Sequence, residues 1–189
     1  MLQIRIHGRG GQGVVTAAEM LSIAAFEQGH HAQAFPSFGS ERTGAPVVSF
    51  CRIDDRQIRS REPIGAPDAL IIQDGHLLHQ VDVFQGLKPE AYVLINSGRT
   101  VTELGLEEIA ARMPPGRVST LPATEIALKH LGRPLPNAVL LGGFAALTGL
   151  ITLEAVIHAI HDKFKGQVAD RNAAAATEAY DGLTAKEAP

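Results

Sequence analysis

The chain has 189 residues, 45% of them apolar and 20% charged, which suits one domain with a sizeable buried core. A formal net charge of -3 and a pI of about 6.2 exclude the cationic field that nucleic acid or an anionic membrane surface requires. No charged-then-apolar leader opens it. Its longest apolar run, Ala138 to Ile151, is broken by glycines and is shorter than the ~20 residues of a spanning helix. A cytoplasmic protein is expected.

In chain order, Leu2–His7 reads as a strand and Gly11–Gln28 as a helix with Val14, Val15, Ala18, Leu21 and Ala25 on its buried side. Ala32–Phe35 is a short strand, followed by a polar loop from Pro36 to Pro46. Val47–Ile53 and Gln57–Arg59 flank Asp54-Asp55-Arg56, the pattern of an antiparallel hairpin. Ala69–Ile72 has the unbroken apolar character of a strand buried on both faces. His76–Phe84 is predicted helical, Ala91–Ile95 is a strand, and a helix near Leu106–Met113 stops at Pro114-Pro115-Gly116. Val118–Leu121 is a strand and Ala123–Leu131 a helix closed by Gly132. Asn137 is expected to cap a helix over Ala138–Leu150, and Thr152 the next one, whose stripe is Leu153, Val156, Ile157, Ile160 and Phe164. An alanine-rich helix covers Val168–Tyr180. The alternation implies a Rossmann-like α/β domain over residues 1–182: a mostly parallel sheet with helices on both faces, one antiparallel hairpin, a helical last third and a frayed tail from 183 to 189.

The chemistry concentrates where the first strand meets the first helix. Gly8, Gly10 and Gly13 within His7-Gly8-Arg9-Gly10-Gly11-Gln12-Gly13-Val14-Val15 let backbone approach a phosphate, while the helix start offers unpaired N–H donors and the positive end of its dipole. Many such turns only allow tight packing. A dinucleotide site would also place an acid at the end of the second strand, but that strand ends Phe35-Pro36-Ser37. Ser37, Ser40, Arg42 and Thr43 follow instead, and hydroxyls with a guanidinium suit phosphate oxygens better than a ribose diol. A phosphate-bearing ligand is the favoured reading; the alternative is that Arg42 pairs with Glu41 or a neighbouring subunit.

Other candidates have plainer explanations. His76/His79 and His158/His161 share helix faces, but a metal needs three or four ligands and none assembles around them. The single cysteine, Cys51, lies in a strand and reads as a core residue; one thiol cannot hold an iron–sulfur cluster. Asp74 and Asn96 follow strands on the ligand-binding rim, where they could orient a ligand or serve as turn and cap residues. Neither a nucleophile elbow nor a P-loop is present. No catalytic or metal-binding residue is therefore assigned, and the residues suit a binding subunit of a larger enzyme.

Several segments together resemble the gamma subunit of 2-oxoacid:acceptor oxidoreductases. These are Gly8 to Ala18, Phe35 to Val47, Gln73-Asp74, Ile95-Asn96-Ser97, Pro122 to Ala127 and Pro136 to Gly142, in the family's order. The resemblance implies a complex that turns a 2-oxoacid and CoA into an acyl-CoA and carbon dioxide. Thiamine diphosphate, Mg and [4Fe-4S] clusters would reside on companion alpha, beta (thiamine-binding) and ferredoxin-like subunits. Ferredoxin or an NAD-reducing partner would accept the electrons. Coenzyme A would be held at this chain by Gly11, Gln12, Gly13, Val14 and Val15 through backbone donors, with charge from Arg42 and a polar contact from Asn137. The Ala32–Thr43 string is similar to phenylglyoxylate dehydrogenases, which form benzoyl-CoA; pyruvate, branched-chain 2-oxoacid and indolepyruvate enzymes are the alternatives. A stand-alone NAD(P)-binding domain and a purely structural subunit are the more distant ones.

Overall fold

The computed structural model describes residues 1–37 and 43–187. Strand β1 (Leu2–Arg9) leads through the glycine turn into helix α1 (Val14–Glu27), then β2 (His31–Pro36) and β3 (Pro46–Asp54). Next come β4 (Ala69–Ile72), a 3-10 turn (Gly75–His79), β5 (Tyr92–Asn96), α2 (Glu107–Ala111) and β6 (Val118–Leu121). Helices α3 (Ala123–Leu131), α4 (Asn137–Thr148), α5 (Leu153–Lys163) and α6 (Gly166–Glu187) complete the chain. The six strands form one sheet in the order β2-β3-β1-β4-β5-β6. β1, β4, β5 and β6 run parallel, while β3 is antiparallel to both of its neighbours.

Strand alternation divides the sheet into two unequal faces. Ile4, Ile6, Cys51, Ile71 and Leu94 pack under α1 and α3–α6, where Leu140, Phe144 and Ile160 are fully buried. On the other face Leu70, Ile72, Val93 and Ile95 are covered by Leu77, Val83, Leu104 and Leu106 from turns and short segments. The long helices thus share one side of the expected α/β sheet. Cys51 is 0% exposed, and burial pushes its thiol up to about 12. It is core, as its strand position suggested.

Tertiary contacts redraw several local expectations. The antiparallel partners of β3 are β1 and β2; residues 57–59 form no strand, and Arg52 instead donates to the carbonyls of Ser60 and Glu62. Of the expected His76–Phe84 helix only His76–His79 turns helically, within the 3-10 turn that starts at Gly75. Buried Arg5 donates to the carbonyls of Val83 (2.8 Å) and Gln85 (2.7 Å), which holds this stretch against β1. The helix expected over Leu106–Met113 is trimmed to α2, because the residue before a proline avoids the α region. Pro136, not Asn137, is the N-cap of α4, so Asn137 is its first helical residue. Thr152 does cap α5, accepting from Ala155 N. Helix α6 continues to Glu187 because Leu183, four residues after buried Ala179, extends the buried stripe and is 3% exposed. Fraying therefore does not begin at 183.

Candidate functional site

The glycine turn is a rigid ledge at the carboxyl ends of the parallel strands. Gly10 N donates to Ala45 O (2.9 Å) and Gly44 N to Gly10 O (3.0 Å), stitching the turn to the approach of β3. Gln12 folds back on it: its N–H reaches Arg9 O (3.0 Å) and its Oε1 accepts from Arg9 N (2.8 Å). Gly13 must be glycine for two reasons. Its φ is +71°, and a Cβ there would stand 2.5 Å from Asn137 Nδ2.

That close approach brings two helix starts together. Among the described residues, neither α1 nor α4 has a side-chain cap, and neither has an acidic residue in its first turn. The leading N–H groups of both, including those of Val14 and Val15, have no partner within their helices. Their dipoles converge at the Gly13–Asn137 junction, a setting that favours an anion. Val14 contributes only backbone, since its side chain is buried. Gly11, Gln12, Gly13, Val14, Val15 and Asn137 are thus assembled at one corner. Arg42 lies outside the described residues.

Arg9 was not singled out from the sequence, although it sits inside the glycine run. Its guanidinium is committed to structure, donating to Asp74 Oδ2 (2.7 Å), Gly44 O (3.0 Å) and Gln80 Oε1 (2.6 Å). Burial works against the charge of Asp74, but the His76 backbone N–H and Arg9 outweigh it and hold the carboxyl below its usual range. Asn96 also has a structural post: it accepts from Thr124 N (3.1 Å) at the start of α3 and donates to Gln73 O (2.7 Å). The rim is therefore pre-organised before any ligand arrives. Among the described residues, no three His, Cys, Asp or Glu side chains cluster as a metal site would require, and no helix is long and apolar enough to cross a membrane.

Gln73 is the unexpected member of the corner. It is 1% exposed, its Cβ would lie 3.2 Å from a Cβ on Gly8, and both polar atoms of its amide lack hydrogen-bond partners among the described residues. An amide buried this way costs ~1–3 kcal/mol relative to an apolar side chain of equal shape. Gln73→Met is accordingly expected to raise unfolding free energy by ~1–2 kcal/mol in urea titrations. A loss of stability instead would mean that a buried water already satisfies the amide.

These features define a Rossmann-like α/β protein whose rim offers backbone donors at the end of its first parallel strand. A model of the pyruvate ferredoxin/flavodoxin oxidoreductase family matches residues 3–182. The chain belongs to that family and is of its gamma-subunit type. It is 48% identical to pyruvate synthase subunit PorC of Methanothermobacter marburgensis, over 97% of this chain and 98% of the relative. It is 47% identical to the pyruvate/ketoisovalerate oxidoreductases common subunit gamma of Thermococcus kodakarensis, over 96% of each. Among solved structures, the pyruvate oxidoreductase subunit PORC of Thermotoga maritima superposes with a TM-score of 0.78 at 34% identity, covering 95% of each chain. The chain is thus a subunit of a multisubunit 2-oxoacid oxidoreductase.

Proposed function

We propose that this chain is the CoA-binding and assembly subunit of its complex, with pyruvate or a branched-chain 2-oxoacid as the substrate. The names of its relatives favour that substrate class over phenylglyoxylate. The observation that carries the CoA role is the meeting of two uncapped helix starts at Gly13 and Asn137, where phosphate oxygens would find several N–H donors at once. Arg42, when it reaches the same corner, would add a cation. With one cysteine in the sequence and that one buried, the [4Fe-4S] clusters are assigned to ferredoxin-like companions, and thiamine diphosphate with Mg to the alpha and beta partners. Those groups supply the decarboxylation and electron transfer; this chain's residues bind and orient the acyl acceptor. Ferredoxin is the proposed electron acceptor, and the cytoplasm the proposed location.

Asn137→Asp tests the role directly. The substitution is nearly isosteric, and a carboxylate in the first turn of a helix is tolerated or mildly stabilising. It would, however, set a negative charge against the phosphates. In the assembled complex the KM for CoA should rise by about tenfold or more, the equivalent of ~1.4 kcal/mol, while 2-oxoacid decarboxylation without CoA persists. An unchanged KM for CoA would remove the corner from consideration as the phosphate site.

A further inference from the structure

A cavity of about 460 Å³ lies on the face of the sheet turned away from α1. Strand residues Arg5, His7, Val48 and Phe50 line it, together with Ile64 and the polar Ser37, Asp82 and Gln85. The walls are built rather than incidental, because Arg5 beneath them donates to Ile64 O (3.3 Å), Val83 O and Gln85 O and so fixes both flanking segments to β1. Arg5 Nε also donates to His7 Nε2 at 3.0 Å. A guanidinium has only donors, so that imidazole nitrogen must be the acceptor, and in the neutral ring the proton sits on Nδ1. Burial, with Arg5 beside it, pushes His7 down to about 4 and keeps the ring neutral. Nδ1–H has no hydrogen-bond partner among the described residues. Asp82 offsets the charge of Arg5. The cavity therefore combines apolar and polar lining with a donor at His7 Nδ1 and an Arg5–Asp82 pair whose charges offset, which suits an uncharged group carrying a carbonyl.

Its position suggests the source of that group. Val47 pairs with Gly8 and Val48 with His7, so the cavity floor begins one residue pair below the glycine turn. Three residues, ~10 Å of extended chain, separate His7 from Gly10, where the turn that leads to Gly13 begins. We propose that this cavity takes the uncharged, amide-bearing arm of the carrier whose phosphates sit at the turn, an arm carbonyl oxygen accepting the hydrogen bond donated by His7 Nδ1. The assignment rests on the CoA reading above and extends it to a second subsite, across the rim of the sheet.

The test compares two ligands on the assembled complex by calorimetry: CoA, and 3′-phospho-ADP, which has the phosphates but no arm. Val48→Phe fills the cavity without touching the turn, and Val48→Leu fills it less. The expected result is CoA weakened about tenfold by Val48→Phe and about threefold by Val48→Leu, with 3′-phospho-ADP within about twofold of the unmodified complex. If Asn137→Asp weakens both ligands while both Val48 variants bind CoA normally, the cavity assignment is wrong and the phosphate corner stands. Unchanged binding of both ligands in Asn137→Asp would overturn the corner, and the carrier's arm with it. Failure of Val48→Leu to assemble, with the isolated chain still folded, would put a partner subunit's side chain in the cavity and also overturn the assignment.

Discussion

Gly142→Ala is expected to destabilise the chain by about 3 kcal/mol, although alanine in a helix interior ordinarily gains ~1 kcal/mol over glycine. The reason is the contact between α4 and α6. A Cβ on Gly142 would lie 2.0 Å from Ala176 O, 2.6 Å from its carbonyl carbon and 2.8 Å from its Cα. All three are backbone atoms in the middle of a 22-residue helix, so no rotamer change can make room. Separating the helices instead would loosen α6 from Leu140 and Phe144, both fully buried, and from the small-residue stripe Ala169, Ala176 and Ala179 that lets the helices approach. Gly143 next door provides the control. A Cβ there would meet the side chains of Leu121 (2.6 Å), Leu183 and Leu94, which can turn aside. Urea denaturation should show Gly143→Ala clearly milder than Gly142→Ala. Equal losses would mean that backbone contact is not what sets the spacing of α4 and α6.

Which of these features could be read from the sequence depends on the range of the forces involved. Ala69–Ile72 and Val118–Leu121 are strands because local apolar pattern and bounding turns agree, and α3 and α5 stop and start where Gly132 and Thr152 say they should. Pattern alone could not choose the partners of β3. A turn-like Asp54-Asp55-Arg56 suggested a local hairpin, yet β1 and β2 offered longer strands whose alternate residues meet the same buried face. The stretch after His79 lost its helix to the long-range reach of Arg5, a residue more than seventy positions away. Such a bond has no local signature.

The site shows the same division. The glycine spacing exposed the turn, because only glycine tolerates the φ of Gly11 and Gly13. Asn137 was legible as a helix-start residue, but its position one place inside α4 follows from Pro136 taking the cap. The convergence of α4 on Gly13 needed the folded chain, since Asn137 lies 124 positions after Gly13. Gln73 left one trace in the sequence: a polar residue directly ending an otherwise apolar strand run. Its orphaned amide emerges only when the neighbours are in place.

Acid should expose the buried imidazole of His7. Unfolded, this histidine takes up a proton at its ordinary value, 6.5; folded, it does so only at about 4, since burial and then Arg5 disfavour the cation. Between these values the unfolded chain binds more protons, so stability declines as pH falls through that window and levels off beneath it. The largest loss the shift allows is ~3 kcal/mol, and none of it arises above about pH 7. Arg5 makes the mechanism specific: protonating His7 Nε2 would remove the acceptor for Arg5 Nε and set two cations 3.0 Å apart. Urea titrations of the isolated chain at pH 7, 5.5 and about 4 should reveal this slope. His7→Gln retains an oxygen that can accept from Arg5 but has no titrating ring, so its stability should respond much less to pH across the same interval. A variant with the full acid slope would assign the effect to groups other than His7, and would leave the neutral Nδ1 donor without thermodynamic support.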